Sequence, residues 1–116
     1  MERRFRLRSS IEIMRVRRFG KSYAHPLLIL IVQEVDHPFS RFAVSAGMSI
    51  GNAVKRNRAK RLLRAALNAL LEDIQPGYNG VLIARKPLTD SNCEETREAL
   101  ESLFRQAVLV PSKINE

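Results

Sequence analysis

The sequence predicts an α+β domain of two layers, a single sheet of strands with helices covering one face. Three observations predict it. Apolar residues recur at the helical period across residues 51–71 and again across 91–107. Between them stand apolar runs too short for buried helices, Leu27-Leu28-Ile29-Leu30-Ile31-Val32 and Val81-Leu82-Ile83-Ala84. Turn-forming residues punctuate the joins, as Asp36-His37-Pro38, Gln75-Pro76-Gly77 and Asn79-Gly80. A chain of 116 residues suits one domain, and no repeat or low-complexity segment divides it.

In chain order, residues 1–8 form an irregular arginine-rich arm anchored by Phe5 and Leu7. Ser9 followed by Glu12 fits a capping box, so a short helix is expected over residues 10–19, ending at Gly20 in a left-handed cap. Its apolar residues, Ile11, Ile13, Met14, Val16 and Phe19, spread around the helix with arginines between them, so both faces should touch something. Residues 21–25 lead into a strand over 27–35 that is buried on both faces, and residues 40–46 read as a return strand. Asn52 then caps a long helix over residues 51–71, with Ala59, Leu62, Leu63, Ala66, Ala69 and Leu70 on its apolar side. A further strand covers 81–84. Ser91 and Glu94 suggest a second capping box, and Leu100, Leu103, Phe104 and Ala107 form the stripe of a last helix. Residues 111–116 are expected to be a loose tail.

Charge is more informative than composition. The net charge is +8, but residues 1–21 carry +6 and residues 52–71 another +6, against −1 for 22–51 and −3 for 72–116. The chain is therefore polarised, with a surface that attracts phosphate. On the long helix, Asn57, Lys60, Arg61, Arg64 and Asn68 gather opposite the apolar side, with Arg56 and Arg58 flanking them. A solvated helix face normally mixes signs, because opposite charges three or four residues apart contribute about 0.2–0.5 kcal/mol and like charges subtract as much. No acidic residue occurs between Asn52 and Leu71. Arg56 and Lys60, and Lys60 and Arg64, are like-charge pairs, and the first-turn cations oppose the helix dipole. A polyanion lying along this face removes both penalties.

Other chemistries are thin. His25 and His37 sit at or beside turns, and no His, Cys or carboxylate spacing matches a metal site, so neither a catalytic nor a metal-ligating residue is assigned. The glycines lack a phosphate-loop context. The lone Cys93 cannot form an internal disulfide and reads as a small packed residue. The longest apolar run, residues 26–32, is too short to cross a bilayer, and the charged start is unlike a signal peptide, so a cytoplasmic protein with no membrane partner is expected.

The segment Gly51-Asn52-Ala53-Val54-Lys55-Arg56-Asn57-Arg58-Ala59-Lys60-Arg61-Leu62-Leu63-Arg64 closely resembles the signature helix of the protein subunit of bacterial ribonuclease P. Arg6-Leu7, the helix ending at Gly20, Ala84-Arg85-Lys86-Pro87 and Leu103-Phe104-Arg105 fall in register with the same family, so the resemblance covers nearly the whole chain. It implies the order helix-β-β-β-helix-β-helix with a left-handed β-α-β crossover, an architecture shared with the second domain of a small-subunit ribosomal protein. It also implies the function. With a catalytic RNA, the family's protein removes the 5′ leader from precursor tRNA; the RNA holds the Mg2+ and performs the hydrolysis, and the protein alone is inert and needs no cofactor of its own. The partners implied are that catalytic RNA and the precursor tRNA leader, with no protein partner. By register, Arg56, Asn57, Arg58, Lys60, Arg61 and Arg64 face the catalytic RNA, and Lys86 with Arg85 matches the basic position at the strand end; Asn68, on the same side of the helix, is counted with these RNA-binding residues. The leader cleft corresponds to Ile13, Arg17 and Ile31. Many relatives carry aromatics at these three positions and lysines at those of Met48 and Ser49; this chain does not. A structural ribosomal or other RNA-binding protein is the alternative, and a DNA-binding module a more distant one.

Overall fold

The structure, a computed structural model, describes residues 3–107; the expected loose tail lies outside them. Helix α1 spans Ser10–Phe19, strand β1 Lys21–Ala24, β2 Leu28–Glu34, β3 Arg41–Ser45, helix α2 Ala53–Leu70, β4 Tyr78–Ala84 and α3 Cys93–Gln106. The element order is that of the ribonuclease P resemblance.

The strands form one sheet in the order β1-β2-β4-β3, antiparallel except for the parallel pair β3 and β4. The return strand expected at 40–46 does run opposite to β2, but β4 lies between the two. Helix α2 is the crossover that lets β3 and β4 run parallel. Strand β1 was not evident from its residues, because only Tyr23 of its four turns into the core and no apolar alternation marks it. The arm is less irregular than expected. Arg3–Phe5 form a 3-10 turn, Arg6 bridges in parallel to Phe42, and the Leu7 N–H donates to the Phe42 carbonyl at 2.9 Å, so the arm shields the open edge of β3.

Alternation along the strands sorts their side chains onto two faces. Leu28, Leu30, Val32, Phe42 and Leu82 meet α2 and α3 in the main core. Phe42 lies across Gly80, its register partner, where a Cβ would come within 2.6 Å of the ring, and packs against Phe104 with ring centroids 5.6 Å apart. The other face is not bare. Val16 and Ile13 of α1 pack with Leu7, Ile31 and Val81, and Glu12 Oε2 accepts from Arg41 Nη2 at 2.9 Å. Two layers describe the sheet with α2 and α3; α1 adds cover on the opposite side because Val16 can be buried only there.

Local details depart from the sequence reading where several residues compete for one role. On α2 the buried side includes Leu67 and leaves Ala69 exposed, since the helix turns its larger side chain inward. The cap of α3 is Asn92, whose Oδ1 accepts from the Glu95 N–H while Glu95 Oε1 accepts from the Asn92 N–H. Ser91 instead points inward, donating from Oγ to the Leu88 carbonyl at 2.7 Å. Cys93 is exposed rather than packed. Ser9 caps α1 as expected, accepting from the Glu12 N–H, but Glu12 is engaged by Arg41.

Gly20 is extended, with φ −75°, not left-handed. Its need for glycine is steric, because a Cβ would sit 2.5 Å from the Val16 carbonyl oxygen and 2.8 Å from that of Val32. Gly20→Ala should therefore lower stability by about 1–3 kcal/mol, as overpacking usually does. Gly47→Ala, where nothing lies within 4 Å, should leave the urea midpoint nearly unchanged and serves as the control.

Candidate nucleic-acid interface

The geometry of α2 follows from its two sides. Asn52 Oδ1 accepts from the Lys55 N–H at 3.0 Å and fixes the helix start. Ala59, Leu62, Leu63, Ala66, Leu67 and Leu70 are buried against the sheet and α3. That burial dictates which residues face outward. Asn57, Arg61 and Asn68 are exposed, and Lys60 and Arg64 are half-buried along one flank.

Among the described residues, no cation of α2 forms an ion pair. Arg56 and Arg58 bond only to backbone carbonyls. Arg56 Nη1 donates to Gly51 at 2.7 Å; Arg58 donates from Nε to Thr89 and from Nη2 to Ser91, both at 3.1 Å. Arg58 therefore clamps the segment ahead of α3 as well as adding charge. Helix α3 shows what the same fold does with a solvated face. Arg97 bonds to Glu94 and Glu101, and Arg105 to Glu101, each three or four residues apart. The Arg97 pKa is raised by its hydrogen bond to Glu94 first and by the Glu94 charge second.

Arg85 and Lys86 are exposed where β4 passes into the 3-10 turn Lys86–Asp90, the turn whose Thr89 carbonyl Arg58 holds. Arg85 Nη1 also donates to the His25 carbonyl at 3.3 Å. Both histidines act in turns: His25 Nδ1 accepts from the Leu27 N–H and His37 Nδ1 from the Phe39 N–H.

The three leader-cleft residues are not equivalent. Ile13 lines an open groove together with Arg6, Arg8, Ala43, Val44 and Arg64. Arg17 is exposed on α1. Ile31 is only 8% exposed, packed with Val16 of α1 and Val81, and does not line the groove. Arg6 and Arg8 are interface candidates to which the sequence reading gives no RNA-binding role, although Arg6 falls in register with the family. The dense charge of residues 1–21 was the available signal. No group of three or more His, Cys, Asp or Glu able to hold a metal occurs among the described residues, and no helix among them is long and apolar enough to cross a membrane.

Fold and site define a basic, single-domain α+β protein organised around one cationic helix. The ribonuclease P family model matches residues 1–108. The ribonuclease P protein component of Oceanobacillus iheyensis is 35% identical over 117 residues, covering 100% of this chain and 97% of that protein. The RNase P protein from Thermotoga maritima superposes with a TM-score of 0.78 at 25% identity, covering 87% of this chain and 96% of its own. That of Staphylococcus aureus shares the fold, with a TM-score of 0.80 at 23% identity over 92% of this chain and 98% of its own. The chain belongs to the ribonuclease P protein family, the protein component of a tRNA-processing ribonucleoprotein endoribonuclease.

Two arginines should separate in their effect on the free protein. Arg58→Ala removes two bonds to carbonyls and should cost about 1–2 kcal/mol of stability. Arg61→Ala removes only crowded charge, so its denaturant midpoint should match or slightly exceed that of the parent.

Proposed function

We propose that the outer face of α2 binds the catalytic RNA of ribonuclease P, and that the groove beside α1 receives the 5′ leader of precursor tRNA. The observation that carries this reading is the row of outward cations on α2 with no carboxylate among them. Arg61, Arg64 and Lys60 grip phosphates, Arg56 and Arg58 use the donors their carbonyl bonds leave over, and Asn57 and Asn68 contact sugar or base edges. Arg85 and Lys86 extend the contact past the clamp made by Arg58. In the groove, Ile13 offers an apolar wall, and Arg6, Arg8 and Arg64 offer phosphate contacts, with Arg17 reaching from the outer side of α1. The RNA phosphates hold the Mg2+ of the holoenzyme and the RNA performs the cleavage. The protein neutralises charge, helps those ions bind and positions the leader. Its place of work is the cytoplasm, beside the RNA it serves.

Adding the protein to the catalytic RNA at low Mg2+ should raise the rate of precursor tRNA cleavage, and no change would sink the reading. Replacing Arg61 and Arg64 together by Ala should weaken RNA binding. It should also flatten the dependence of log affinity on log salt by roughly 0.7–0.9 for each phosphate no longer neutralised. An unchanged slope would remove both residues from the interface.

A further inference from the structure

The positions where relatives carry cleft aromatics are Ile13, Arg17 and Ile31 in this chain, yet the molecule displays aromatic rings on another surface. Phe5 and Phe39 pack edge to face with centroids 5.9 Å apart and ring planes at 76°. The Arg4 guanidinium lies over both, 4.8 Å from the Phe5 centroid and 5.3 Å from that of Phe39. The edge-to-face contact covers one face of one ring, and a base stacking on the pair would share the rings with the Arg4 guanidinium or displace it. Phe39 keeps 37% of its surface open and Phe5 is half-buried, so both rings reach the surface.

The pair is held in place from both sides. Phe5 ends the 3-10 turn Arg3–Phe5, directly ahead of the bridge from Arg6 to Phe42. Phe39 is held by its N–H, which donates to His37 Nδ1 at 3.1 Å. The rings therefore stand at the β3 edge without having to be ordered by a ligand, which lowers the entropic cost of binding. Arg3, Arg4, Arg6 and Arg8 are all exposed around them, and Arg6 and Arg8 continue into the groove that Arg64 of α2 also lines. Aromatic rings interleaved with cations, continuous with a phosphate-binding face, suit a strand whose bases are unpaired. The rings take base faces and the arginines follow the phosphates. In a duplex the base faces are already covered.

We propose that Phe5 and Phe39, with Arg4, form a stacking platform for an unpaired RNA base at the edge of β3, separate from the cleft positions. The platform rests on the reading that the chain binds RNA, but its test needs neither the catalytic RNA nor cleavage, so the two can fail independently.

The chain contains no tryptophan, so Phe39→Trp places a single indole in the platform, excited selectively over the two tyrosines. A short single-stranded oligoadenylate should quench that fluorescence saturably, whereas an abasic oligomer with the same sugar-phosphate backbone should not. Phe39→Leu keeps apolar bulk but loses the ring. It should weaken oligoadenylate binding roughly 5- to 150-fold, the range worth of one stacked base, and leave binding of the abasic oligomer unchanged. Equal quenching by the abasic oligomer, or undiminished oligoadenylate binding by a folded Phe39→Leu, would overturn the platform and leave the rings as an anchor for the arm. If Phe39→Leu fails to fold, the quenching comparison decides alone. In the reconstituted complex, a Phe39→Leu loss confined to leader-bearing tRNA assigns the base to the leader. A weaker grip on the catalytic RNA, with or without substrate, assigns it to that RNA.

Discussion

Like charges crowded along the outer side of α2 are the constraint to which the rest of the molecule answers. The inner side of that helix carries much of the main core, so its orientation is set by Leu62, Leu63, Leu67 and Leu70 and cannot relax to spread the cations. Lys60 stands four residues from both Arg56 and Arg64, and each such pair costs a few tenths of a kcal/mol. Six cations on one helix are thus fixed to a rigid body in a geometry that burial chose. The preorganisation that burdens the free protein would aid the proposed binding, because an RNA meeting this face would not have to order it first.

The remaining elements surround that helix with two kinds of surface. Helix α3 pairs both its arginines, Arg97 and Arg105, with Glu94 and Glu101 and carries Glu95 and Glu98 besides, so it presents a net acidic surface. Helix α1 and the arm remain cationic and border the open groove beside Arg64. The Arg58 clamp ties α2 to the turn bearing Lys86. Polarity of charge in the chain thus becomes polarity of faces in the fold, which steers a polyanion to one side of the molecule.

The elements most legible in the sequence were those whose burial pattern is strong. Helices α1 and α2 run within a residue or two of their expected bounds, because Ser9 and Asn52 cap them and the leucines of α2 repeat at the helical period. The cationic face was equally legible, since it depends only on that period. What escaped depends on partners distant in sequence. Strand β1 has too little apolar pattern to announce itself, and the insertion of β4 between β2 and β3 is a matter of pairing that no local signal carries. Ser91 and Asn92 are both good caps, and only the inward bonds of Ser91 to Leu88 and Thr96 decide between them. Ile31 fell in register with a cleft position, but α1 lies over it.

The most direct test of the central claim is to measure stability and RNA affinity together in Lys60→Glu. This change turns two like-charge pairs, with Arg56 and Arg64, into two attractive ones. Unfolding of the free protein should become harder by about 1 kcal/mol, from pair energies of a few tenths each. Binding to the catalytic RNA should weaken at the same time. A variant that is less stable when free, or that binds the RNA as tightly as its parent, would contradict the account.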